Sequence, residues 1–123
     1  MILIAAAMLL PMPDDIAAQA EGWARKAKPV AECASEQDCD TKWRAASAWV
    51  RKNSKFQIAV DTPTLLSTYP AMYPSLDLAF TLVRRKDETG RPSIAVRAWC
   101  GNVFSCSPKP RDAVASLRRA LDQ

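Results

Sequence analysis

The chain contains no histidine. This removes the most frequent general base and the most frequent metal ligand of proteins. Ser-His and Cys-His nucleophile pairs are therefore excluded. Only 3 of the 123 residues are glycine, and none belongs to a phosphate-cradling loop. Asp61 and Asp77 would be the carboxylate pair of an acid–base enzyme, but their contexts are unrelated and both read as turn or loop residues. The apolar run that follows Met1, Ile2 to Leu10, is nine residues, whereas a bilayer span needs about 20. There is no internal repeat and no low-complexity tract. The expectation is a protein that is not an enzyme and uses no cofactor or metal.

What is present is a foldable chain of single-domain length, 49% hydrophobic with a net charge of +4. Four cysteines fall into two pairs of identical spacing, Cys33-x5-Cys39 and Cys100-x5-Cys106. They follow the apolar run and the small-x-small motif Ala18-Gln19-Ala20, which matches a signal-peptide cleavage site. No Lys or Arg precedes the run, and Asp14 and Asp15 follow it; both features depart from a standard leader. An even cysteine count behind an export-like leader predicts disulfides in an oxidising compartment, periplasmic or secreted. The expected organisation is a signal peptide over 1–20, a linker over 21–32 and one disulfide-stabilised domain over 33–123. Loss of Asp14 and Asp15 with the leader would leave 17 basic against 11 acidic residues. A basic surface favours a protein or anionic envelope component as partner. Cys33 follows Val30-Ala31-Glu32, which is not a lipoprotein box, so no lipid anchor is expected.

Ser35 with Asp38 three residues on is a capping-box-like helix start. Cys39, Trp43, Ala46, Trp49 and Val50 then fall on one arc at 100° per residue, which predicts a helix over about 35–53. The period next changes to two. Phe56, Ile58 and Val60 predict a first strand, and Leu76, Leu78, Phe80 and Leu82 a second. Pro63 makes 62–75 a loop or bulged edge. Ile94, Val96 and Ala98 share one face of a third strand over 93–100. Pro110 opens a last helix with a stripe of Ala113, Val114, Leu117, Ala120 and Leu121. The predicted fold is an α+β two-layer sandwich of order α-β-β-β-α, with two helices on one face of a three-stranded antiparallel sheet.

Four cysteines permit three connectivities; equal local spacing favours Cys33–Cys39 and Cys100–Cys106. The first would act as a covalent staple at the helix start. The second would close the loop Gly101-Asn102-Val103-Phe104-Ser105. Redox and zinc readings are weaker, because five intervening residues match neither C-x-x-C nor a zinc knuckle.

Trp43 and Trp49 read as core anchors on the helix stripe. Trp99 shares strand parity with Arg97, opposite Ile94, Val96 and Ala98, so it is expected on the sheet face the helices leave open; the alternative is that the tether or a loop covers that face. Phe104 is either a presented apolar tip or a plug beneath its own loop. Arg97, Trp99, Asn102 and Phe104 are the candidate binding residues. Arg84, Arg85, Lys86 and Arg91 form a basic hairpin without interleaved aromatics, so nucleic acid is not expected.

The motifs Cys33-x5-Cys39-x3-Trp43-x2-Ala46-x2-Trp49 and Trp99-Cys100-Gly101-Asn102-x-Phe104-x-Cys106-x-Pro108 resemble small exported proteins and lipoproteins of Gram-negative bacteria. That resemblance implies an envelope location and no particular activity. Such proteins often carry a lipidated cysteine, for which this chain has no box. Two functions fit the residues: a non-enzymatic binding module using the sheet face around Arg97 and Trp99, or an exported inhibitor or immunity-type protein presenting the loop Gly101 to Ser105. A hydrolase is the third, weaker reading.

Overall fold

The computed structural model describes residues 19–20, 22–102 and 104–122. Along the chain these form β1 (Ala31–Glu32), α1 (Glu36–Asn53), β2 (Ile58–Asp61), β3 (Leu65–Thr68), β4 (Ala79–Lys86), β5 (Pro92–Trp99) and α2 (Pro110–Leu121). A further helical turn lies at residues 22–24. The strands make one sheet of order β1-β5-β4-β3-β2 in which every neighbouring pair is antiparallel.

The mixed α+β architecture agrees with the sequence reading. The counts do not: the sheet has five strands instead of three, and helical residues 19–20 and 22–24 add a third helix. Leu76 and Leu78, expected on the second strand, precede β4, and Leu76 is exposed. The first addition to the sheet, β3, lies inside the segment expected to be a loop or bulged edge. Leu65, Leu66, Ser67 and Thr68 are all buried. A strand covered on both faces shows no polar–apolar alternation, so periodicity is silent there. Pro63 sits in the β2–β3 turn, where Thr62 Oγ1 accepts from the Leu65 N–H at 2.9 Å. The second addition, β1, comes from the segment expected to be a linker. Ala31 pairs with Ile94, and the Val30 N–H donates to the Ile94 carbonyl at 2.8 Å. Val30 and Ala31 belong to the core. Two residues are too few to register as a strand in any window.

One sheet face carries Leu66, Phe80, Leu82 and Ile94. Cys39, Trp43, Ala46 and Val50 of α1 and Ala113, Leu117 and Leu121 of α2 close over it. The helix stripes are those the sequence showed, except that Ala120 is exposed and Trp49 and Val114 are only half-buried. At the start of α1, Ser35 Oγ accepts from the Asp38 N–H at 3.1 Å, and Asp38 Oδ2 accepts from the Ala34 N–H at 2.8 Å. The Cys33–Cys39 bond ties the approach to the helix to its first turns, as the staple reading expected. Arg84 on β4 is a strut. Its guanidinium donates to Asp40 Oδ1 at 2.6 Å and to Glu36 Oε2 at 2.9 Å, locking α1 to the sheet. Partial burial pulls its pKa down, but the Asp40 and Glu36 hydrogen bonds outweigh that and raise it overall.

The opposite face was expected to be open. At one end Ala20, Trp23 and Ala24 pack on it against Leu65, Val83 and Ala95. Residues of the expected linker therefore cover part of the face as well as extending the sheet. The expected leader lies outside the described residues except for Gln19 and Ala20, and Ala20 is buried in this cluster.

Candidate functional site

Antiparallel pairing brings the end of β3, the start of β4 and the end of β5 to one edge of the fold, because Ser67 pairs with Thr81 and Ala79 with Trp99. Two long loops, 69–78 and 100–109, therefore emerge side by side. They are joined at several points. The Ser107 N–H donates to the Leu76 carbonyl at 3.0 Å. Asn102 Nδ2 donates to the Pro74 carbonyl at 3.4 Å. Gly101 lies against the Met72–Tyr73 backbone so closely that a Cβ there would fall 2.3 Å from the Met72 carbonyl oxygen. This glycine is required by close approach and not by its dihedral angles.

Each loop is also braced internally. Cys100 and Cys106 form the second disulfide. Inside that ring Asn102 Oδ1 accepts from the Phe104 N–H at 2.9 Å and the Ser105 N–H at 3.3 Å, an Asx turn. In the companion loop the Ser75 N–H donates to the Met72 carbonyl at 2.8 Å. Both cysteine pairs are thus closed locally, in agreement with equal spacing favouring local pairs. Disulfides of this kind belong to an oxidising environment.

From this braced base large apolar side chains project into water. Phe104 is 89% exposed, Tyr73 73%, Met72 70%, Tyr69 55% and Leu76 45%. Single exposed apolar residues are ordinary, but five on two touching loops are not. Of the two readings open for Phe104, the presented tip is the one observed. Phe104 also lines a shallow depression with Lys109 and Arg111, which gives the apolar end a cationic flank.

The four candidate binding residues separate into two pairs. Asn102 and Phe104 belong to the loop end, Asn102 as its brace and Phe104 as its tip. Arg97 and Trp99 lie on the sheet face, where the Arg97 guanidinium sits 5.4 Å from the Trp99 ring centroid in a cation–π contact. Trp99 is half-buried and Arg97 exposed. Sequence reasoning missed Tyr69, Met72 and Tyr73. Their signal was two Tyr-Pro dipeptides in a segment with no alternation to bury them, at positions 69–70 and 73–74.

The remaining polar candidates are engaged elsewhere. Asp61 pairs with Arg51 at 2.6 Å and Asp77 with Lys55 at 3.5 Å, so the two carboxylates serve different cations. In the basic hairpin, Arg84 is the strut to α1 and Arg91 pairs with Glu32 at 3.4 Å. Among the described residues no helix is long and apolar enough to cross a membrane. No protein-family model, curated protein or solved structure matches the chain.

Proposed function

We propose that the protein is a non-catalytic binding module of the periplasm or exterior that docks on a protein partner through its loop end. The observation that supports this most is the coincidence of exposure and bracing. Tyr69, Met72, Tyr73, Leu76 and Phe104 stand in water on loops held by a disulfide, an Asx turn and two inter-loop hydrogen bonds. Aromatics and methionine are enriched at protein interfaces. Ordering the loops in advance lowers the entropy cost of binding. Lys109 and Arg111 beside the tip suit an acidic rim on the partner.

A second reading, an exported inhibitor or immunity-type protein, is favoured by one feature: Phe104 at the crown of a closed loop has the shape of a plug for a concave site. The sheet face at Arg97 and Trp99 is the less favoured surface, since residues 20–24 cover part of that face.

The test is co-purification from envelope extract with the parent chain and with a Tyr73→Ser, Phe104→Ser variant. The reading expects a stoichiometric protein that the variant loses, while an Arg97→Ser, Trp99→Ser variant retains it. The reverse pattern would move the site to the sheet face. If the captured partner is an enzyme whose activity falls on binding, the inhibitor reading holds.

A further inference from the structure

We infer that a second site, independent of the loop tip, takes a small organic cation with an apolar body. It is a cleft of about 320 Å³ where α1, α2 and the bases of the two loops meet. That volume is within the range of small-molecule pockets. Half-buried Trp49 provides an aromatic wall, set edge-on against the fully buried Phe80 ring, with ring centroids 5.4 Å apart and planes at 89°. Such a wall accepts a flat or aliphatic body.

The polar lining decides the charge of the ligand. Lys55 and Asp77 offset each other at 3.5 Å. Asp112 also lines the cleft, and among the described residues its carboxylate has no donor or cation. Asn53 donates one Nδ2 proton to the Trp49 carbonyl at 2.8 Å, and Ser107 and Ser116 add neutral hydroxyls to the lining. The one uncompensated charge of the cleft is therefore negative, on a chain whose net charge is +4. A cation is the complement, and an alkylammonium supplies three donors that a carboxylate, an amide oxygen and hydroxyls accept. Asp112 also stands in the first turn of α2, where a carboxylate complements the helix dipole. That role accounts for a carboxylate at this position, but not for the aromatic wall beside it.

The experiment follows the Trp49 indole N–H resonance by NMR during titration of the full chain with phenethylammonium. The neutral 2-phenylethanol and the anionic phenylacetate, which share its ring, serve as comparisons. Saturable shifts at Trp49 are expected for phenethylammonium, with affinity at least about tenfold above that of phenylacetate. At an effective dielectric between protein and water, one carboxylate a few ångströms away is worth roughly a factor of five to ten or more. Asp112→Asn should weaken phenethylammonium by about that factor and leave 2-phenylethanol unchanged. Lys55→Gln removes the cleft's cation and should act in the opposite direction, tightening phenethylammonium. This second variant keeps the test decisive if Asp112→Asn disturbs α2. Absence of saturable shifts, equal affinity for the three probes, or indifference to both substitutions would overturn the inference.

Discussion

Two crosslinks of identical span should stabilise this fold by different amounts. Each bond joins cysteines six positions apart. In the chain-entropy model, a loop of about seven residues gives roughly 2.3 kcal/mol for either bond. That contribution acts on the unfolded chain and cancels when the two are compared. What remains is burial. Cys33 and Cys39 are 2% and 0% exposed and lie in the main core, whereas Cys100 and Cys106 are half-buried at its margin. Converting a buried cystine to two alanines removes two sulfur atoms, each comparable to a methylene worth about 0.8 kcal/mol or more once a cavity is left. Cys33→Ala with Cys39→Ala should therefore cost about 3.5–5 kcal/mol, and Cys100→Ala with Cys106→Ala about 2–2.5 kcal/mol. Urea melts of both double variants beside the parent, at one pH and temperature, measure the difference. Equal losses within about 0.5 kcal/mol, or a larger loss for the Cys100–Cys106 pair, would refute the reasoning that burial separates them.

Trp43, at 8% exposure on the core face of α1, should cost about 3–5 kcal/mol when changed to alanine, while half-buried Trp99→Ala should cost under about 1.5 kcal/mol, both read from denaturant melts. Gly101→Ala forces a methyl group against the Met72 carbonyl and should destabilise by about 1–3 kcal/mol, with NMR shifts concentrated in residues 71–76 as the two loops part. Stability should fall on acidification through Asp38 and Asp87, whose carboxyls are held below the ordinary value of 3.8. The main causes are the Ala34 N–H and then Lys42 for Asp38, and the Thr89 hydroxyl and then the Arg91 N–H for Asp87. Because the folded-state pKa of each is the lower one, the contribution is complete above the unfolded value and disappears as pH drops through the folded value; urea midpoints for an Asp38→Asn, Asp87→Asn variant should accordingly vary less below about pH 4 than those of the parent.

The stripe Cys39–Trp43–Ala46–Val50 of α1 was legible in the sequence because the helix has one wet face, and the structure buries it as the helical period requires. β4 was legible although Ala79 to Val83 is buried on both faces, because large Phe80 and Leu82 alternate with small Ala79 and Thr81. β3 was hidden because Leu65 to Thr68 is buried on both sides and its pattern carries no period. β1 was hidden by length, and the role of residues 20–24 by composition, since two alanines and a tryptophan among charges look like a tether until Leu65, Val83 and Ala95 are seen beneath them. Phe104 was found because the cysteine spacing drew attention to its loop. Tyr69, Met72 and Tyr73 were not, because only the antiparallel register of β3, β4 and β5 brings their loop beside it.

The docking role of the loop end is tested most directly by placing the photo-crosslinker benzoylphenylalanine at one position at a time, in place of Phe104, Tyr73, Trp99 or Glu88, in chains expressed in the native compartment. Glu88 is exposed in the β4–β5 turn, at the opposite end of these strands from the loops. The account predicts one discrete protein adduct, of the same partner, from positions 104 and 73, and none from 88 or 99. Adducts confined to position 99, or no adduct from 104 and 73 in chains that remain folded, would contradict it.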